Sequence, residues 1–264
     1  MGLARPAESR SLWDTLRREA AAVAAAEPAL AAWVHAAIIN QSDLAGALAQ
    51  LITIALGGNS SERTITRRLA EQAYRDDPSL VAIAALDLRA PIERDPACPG
   101  ALHVLLHFNG YIALQIYRVS NSLWIRGQTE FALYLHSRTT QALHVSIHPS
   151  ATIGSSMFID HGGTGVMIGA GVIIGDDGSM LQEVTVSSAP DGEAGAPRIG
   201  RGVLLSAGST VLGNIEIGDF AKIGAGSLVL ASVPSGYTAV GVPAQLVGRT
   251  PHARPASSMD QSLP

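Results

Sequence analysis

The sequence predicts an α + β protein, with an N-terminal all-helical domain followed by a left-handed parallel β-helix of hexapeptide repeats. Three observations carry the prediction. Residues 1 to about 140 place apolar residues at helical spacing and are rich in alanine, the best helix former. From Ile147 the aliphatic residues recur every sixth position instead. The chain has 264 residues, 47% hydrophobic and 15% charged, which is enough apolar material for one large core or two modest ones.

The helices are punctuated by Pro28, by Gly57-Gly58-Asn59-Ser60, by Asp77-Pro78 and by the stretch Pro96 to Gly100. Ser11 is a candidate N-cap for a helix carrying Trp13, Leu16 and Ala20. Ser42 or Asp43 is one for a helix carrying Leu44, Ala47, Leu48 and Leu51. The expected boundaries are a helical domain over 1–140, the β-helix over 141–248 and a flexible tail over 249–264.

In the second half the six-residue series runs Ile147, Ile153, Ile159, breaks after His161, and resumes at Ile168, Ile174, Met180 and Val186. A polar stretch from Ser187 to Arg198 follows, and then Ile199, Leu205, Val211, Ile217, Ile223 and Val229. Such repeats mark a parallel β-helix: each unit supplies a short strand and a corner, and the aliphatic residue points into a narrow prism. With three strands to a turn, one coil takes eighteen residues, and the repeats amount to about four coils. A sandwich would show period-two alternation, which is absent.

The formal charge of -4 and the lack of a basic run argue against nucleic-acid binding. One cysteine, Cys98, excludes an intramolecular disulfide, and no apolar leader follows Arg5 and Arg10, so a cytoplasmic location is expected. The apolar stretch Ala20 to Ile39 carries Glu27, Pro28 and His35, which disfavours a membrane span.

The order of "EQAYRDDPSL", "ERDPA", "ALQIYR", "SIHPSATIG", "DHGGTGVMIG", "GSMLQEVT", "VLGNIEIGDFAKIGAGSLVL" and "VGVPAQLVG" resembles the serine acetyltransferases of cysteine biosynthesis over nearly the whole chain. The resemblance implies attack of the L-serine hydroxyl on the thioester of acetyl-CoA within a ternary complex. It implies His161 as general base, work that suits an imidazole titrating near neutrality. It implies that Asp95 and Asp160 hold the ammonium group of the acceptor, and that Ser188, Ala207, Lys222, Gly224 and Ala225 line the CoA groove between neighbouring subunits. A homo-oligomer follows, a trimer or a dimer of trimers, with no resident metal.

Several residues depart from the family pattern. Ser146 stands where an aspartate would orient the base histidine, and Gly195 and Ala196 stand where an arginine and a histidine would engage serine. Ala170 replaces an acidic residue, and the segment after Asp160 is one residue longer. The chain ends "SMDQSLP" rather than in the isoleucine that docks into the partner sulfhydrylase, so a cysteine-synthase complex is not expected. Two function classes remain: an O-acyltransferase using L-serine or a serine-like acceptor, or a non-catalytic relative serving as an assembly or regulatory subunit. Three of the site residues also have a plainer role: His161 as a structural histidine, Asp95 as a turn residue before Pro96, Lys222 as a solvated corner residue. His103 and His107 have zinc-chelating spacing but no third ligand, so packing is expected, and the same holds for His144 and His148.

Overall fold

The computed structural model describes residues 6–160, 165–189 and 195–263. The helical region comprises α1 (Pro6–Ala26), α2 (Pro28–Val34) running into a π-turn over His35–Ile39, α3 (Leu44–Leu56), α4 (Ser60–Asp76), α5 (Ser79–Arg94), α6 (Ala101–His107), α7 (Asn109–Ile125) and α8 (Thr129–Leu143). The sequence punctuation falls at these ends. Pro28 opens α2, where its missing N–H costs nothing. Asp43 caps α3 by accepting from the Gly46 N–H at 2.8 Å. Asn59 and Glu62 form a reciprocal capping box on α4. Ser11 is not a cap: α1 already begins at Pro6, whose fixed φ suits a first helical position. No helix among the described residues is long and apolar enough to cross a membrane.

Beyond α8 the chain winds into the left-handed parallel β-helix. One face stacks β1 (Val145–Ile147), β4 (Val166–Ile168), β7 (Thr185–Ser187), β10 (Thr210–Leu212) and β13 (Leu228–Val229). The second face stacks β2 (Thr152–Ile153), β5 (Ile173–Ile174), β8 (Arg198–Ile199) and β11 (Glu216–Ile217). The third stacks β3 (Phe158–Ile159), β6 (Ser179–Met180), β9 (Leu204–Leu205), β12 (Lys222–Ile223) and β14 (Tyr237–Gly241), and the antiparallel β15 (Ala244–Arg249) closes its end. Every residue of the six-residue series is buried, because the prism interior admits only apolar side chains at those corners.

Register sets the length of each turn. Val211 pairs with Val229, eighteen residues on. Ile147 pairs with Ile168, twenty-one on, and Val186 with Val211, twenty-five on. Three extra residues therefore leave the prism between β3 and β4, and seven between β7 and β8. The first insertion contains His161 and the second ends at Gly195-Ala196.

The helical region is locked to the first coil by polar contacts that burial makes obligatory. Arg118 of α7 pairs with Asp87 of α5 at 2.7 Å and also donates to the Gly154 carbonyl at 2.8 Å. Asp87 in turn accepts from the Met157 N–H at 3.0 Å. Tyr117 Oη donates to the Ala151 carbonyl at 2.8 Å. Where α7 begins, Gly110 lies so close to β3 that an added Cβ would stand 2.1 Å from the Ile159 carbonyl oxygen.

The tail, expected to be flexible, packs onto the third face. A short helix, α9 (Pro255–Ser258), buries Pro255 and Ala256, and Ser179 Oγ donates to the Ala256 carbonyl at 2.8 Å. The outward residues of that face, Phe158, Ser179, Leu204, Lys222 and Thr238, are all buried.

Candidate active site

The two insertions leave from opposite edges of the first face. The one after β3 turns the corner from the third face to the first, and the one after β7 turns from the first face to the second. A site using both thus calls on two edges of the prism.

Asp160 is the last residue of the regular coil before the first insertion, and its N–H donates to the Met180 carbonyl at 2.8 Å. His161 itself lies outside the described residues. Asp95 follows the last turn of α5, and its Oδ1 accepts from the Ala97 N–H at 2.8 Å, the contact of a turn residue before Pro96. Its neighbour Arg94 is buried and pins this loop to the coil that carries Asp160. Arg94 Nη2 donates to Ser156 Oγ at 2.8 Å and Nη1 to the Gly178 carbonyl at 2.9 Å.

Below the first insertion the same corner is stacked turn on turn by backbone hydrogen bonds. Glu183 donates to the Gly165 carbonyl at 2.6 Å, Gly208 to Gln182 at 2.8 Å, and Gly226 to Ala207 at 2.8 Å. Ala207 and Ala225 therefore occupy one edge, beneath Asp160. Gly224 lies beside them, and an added Cβ would meet Val240 at 3.0 Å, so its smallness serves packing within the third face. Ser188 belongs with Gly195 and Ala196 at the opposite edge, where the second insertion begins and ends. An added Cβ at Gly195 would stand 2.5 Å from Asn214 Cγ, and φ there is +128°.

Lys222 is neither solvated nor at a corner. Only 1% exposed on β12, it donates from Nζ to the Ser262 carbonyl of the folded-back tail. Burial lowers its pKa and the nearby Asp260 partly offsets this.

Sequence reasoning missed a group formed between the middle of α8 and β1. His136 Nε2 lies 3.0 Å from Ser146 Oγ, and its ring stands 5.7 Å from that of His148. Burial and the neighbouring His148 both lower the His136 pKa. His148 Nδ1 accepts from the Ser150 N–H at 3.1 Å, which leaves its proton on Nε2. The only signal in the sequence was the departure at Ser146. The other histidine pair packs as expected: His103 and His107 lie 4.9 Å apart, with Trp33 stacked on His107 at 6.1 Å. Among the described residues no three His, Cys, Asp or Glu side chains gather as a metal site would require.

A hexapeptide prism joined to a helical domain, with insertions at two edges of one face, defines an acyltransferase of the hexapeptide class. A family model described as "Serine acetyltransferase, N-terminal" matches residues 12–116, and one described as "Bacterial transferase hexapeptide (six repeats)" matches residues 196–231. The chain is 39% identical to the serine acetyltransferase of Salmonella typhimurium over 96% of its length and 93% of that protein. The serine acetyltransferase of Brucella abortus in complex with coenzyme A superposes with a TM-score of 0.86 at 33% identity, over 90% of this chain and 95% of that one. The soybean enzyme complexed with serine gives 0.87 at 42% identity, over 92% and 100%. The chain belongs to the serine acetyltransferase family.

Proposed function

We propose that the protein transfers the acetyl group of acetyl-CoA to the hydroxyl of L-serine or a serine-like acceptor. In this reading the acceptor oxygen attacks the thioester carbonyl while His161 takes its proton. The C–S bond then breaks, and the departing sulfur takes that proton back. Asp160 and Asp95 hold the acceptor's ammonium group, and CoA runs along the edge marked by Ala207 and Ala225.

The observation that carries this reading is the placement of the two insertions. The Asp160 edge and the Ser188–Ala196 edge flank the same face, so neither alone encloses a substrate. In a trimer the first edge of one prism would face the second edge of its neighbour, and the site would be completed between subunits. Coenzyme A and serine in the Brucella and soybean relatives support the substrate classes.

The test is release of free thiol from acetyl-CoA with L-serine, serine amide and serine methyl ester as acceptors. Turnover of at least one, abolished by His161→Ala with CoA binding retained, is expected. Ser146, Gly195 and Ala196 favour the second reading, a non-catalytic assembly or regulatory subunit. That reading stands if the unaltered protein releases no thiol with any of the three.

A further inference from the structure

We propose that His136 is a positioning residue for the acyl transfer, holding the Ser146 hydroxyl so that its oxygen presents a lone pair where a carboxylate oxygen would otherwise stand. The inference rests on the functional reading above.

Ser146 is the middle residue of β1. Its neighbours Val145 and Ile147 point into the prism, so its own side chain points out. There it lines an open cleft of about 380 Å³ together with Thr140, His144, Met167, Glu183 and Thr185. This cleft adjoins the site: Gly165, the first described residue after the insertion, also lines it, and Glu183 is tied to Gly165 by its N–H. Asp160 ends the regular coil at the same corner.

His136 does not line the cleft. It stands behind Ser146 against a small void bordered by Ala113, Ile116 and Tyr117, with Nε2 at 3.0 Å from Ser146 Oγ. Half-buried and next to His148, it favours the neutral imidazole. In the tautomer that this inference assigns, Nε2 is the unprotonated nitrogen and accepts the Ser146 hydroxyl proton. The hydroxyl is then fixed, and its lone pairs face the cleft, able to accept from an N–H there. In the functional reading that N–H belongs to the base imidazole. A free serine hydroxyl would rotate among several partners, whereas in this tautomer the bond to His136 selects one orientation.

The hydroxyl carries no charge, so the arrangement orients a ring without stabilising an imidazolium as a carboxylate would. Its contribution is that of one neutral hydrogen bond, expressed in the chemical step.

The experiment measures kcat and KM for acetyl-CoA and acceptor in the unaltered protein and in five variants: His136→Leu, His136→Gln, Ser146→Ala, Ser146→Asp, and Ser146→Asp combined with His136→Leu. His136→Leu and Ser146→Ala should each lower kcat roughly tenfold and leave both KM values within about twofold, the size expected for one hydrogen bond. His136→Gln, whose side-chain carbonyl can accept the same proton, should recover most of the loss. Ser146→Asp should restore or raise kcat, and in that background His136→Leu should cost less than about twofold. An unchanged kcat in both His136→Leu and Ser146→Ala would overturn the inference. So would an equal loss from His136→Leu with Asp at position 146, which would mark His136 as packing alone. Ser146→Ala lies on the open face of a strand and tests the same contact if the helix variant fails to fold. Absence of thiol release by the unaltered protein would instead remove the functional reading itself, and this inference with it.

Discussion

Asp87 and Arg118 form a buried ion pair, 0% and 5% exposed, and each partner also reaches into the first coil of the β-helix. Arg118 donates to the Ile153 and Gly154 carbonyls, and Asp87 accepts from Met157 N–H and Gln115 Nε2. The pair thus does more than join α5 to α7: it satisfies backbone groups of the first coil that the helices cover. Removing one partner leaves the other charge buried and unpaired, at about 3–5 kcal/mol. Asp87→Ala and Arg118→Leu should each lower the thermal midpoint sharply at fixed protein concentration, and Asp87→Leu with Arg118→Met should recover part of the loss. A midpoint unchanged in either single variant would contradict this account of the domain junction.

Three histidines carry a pH prediction. Burial lowers the pKa of His107, His136 and His148, with His103 adding to the effect at His107 and His148 adding to it at His136. A folded pKa below the unfolded value near 6.5 means that the unfolded chain binds more protons in that range. Stability is therefore full above about pH 6.5 and falls as pH drops through the unfolded value towards the folded one. The thermal midpoint should decline between about pH 7.5 and 5, and His136→Gln with His148→Gln should flatten the decline. An equal slope in the double variant would show that other groups control it.

The six-residue series was legible because the prism interior has a strict requirement: Ile159, Met180, Leu205 and Ile223 stack on one face, and a polar residue at any of them would lose its hydrogen bonds. The helix ends were legible where a capping residue acts locally, as at Asp43 and Asn59. Two of the missed features depend on residues far apart in sequence. Lys222 meets Ser262 forty positions on, and Arg94 meets Ser179 eighty-five positions on. No local pattern marks either partner. Ser146 was noticed as a departure, but the side chain that meets it, His136, lies on a different element. Of the candidate site, Asp160 and the small residues of one edge could be placed from the repeat alone, whereas the separation of Ser188 from them needed the fold.

The tail yields a prediction for CoA binding. Lys222 is engaged by the Ser262 carbonyl, and Asp260, beside it, is held by His252 at 3.0 Å. If Lys222 takes part in the CoA groove, the last residues must lift first. Deleting 259–264 leaves Pro255, Ala256 and the Ser179 contact in place while freeing Lys222. One hydrogen bond's worth of competition, roughly 0.5 to 1.5 kcal/mol, should disappear. The KM for acetyl-CoA should fall about twofold to twelvefold with kcat for a saturating acceptor little changed. A raised KM would mean that the tail helps to hold CoA.

The last prediction concerns acceptor choice, on which substitutions at Gly195 and Ala196 should act unequally. The family pattern places an arginine and a histidine here, and charge-assisted bonds to the acceptor carboxylate contribute roughly 1.5 to 3 kcal/mol each. Without them, free L-serine should be a poor acceptor relative to serine amide or a methyl ester, which present no carboxylate to be left unpaired. The two positions differ in what the backbone permits. Gly195 has φ of +128°, a conformation that side-chain-bearing residues rarely adopt, and the Asn214 side chain fills the space an added Cβ would need. Ala196 is half-buried, and no left-handed backbone bars a side chain there. Ala196→His should therefore shift preference towards free serine, lowering its KM about tenfold or more with serine amide little affected. Gly195→Arg alone should gain less and should lower the thermal midpoint. Gly195→Arg with Asn214→Gly should recover part of the KM gain, because it removes the steric conflict and leaves only the backbone strain. If free L-serine is already used as well as the amide by the unaltered protein, the missing carboxylate clamp does not set acceptor choice and this account of the pocket fails.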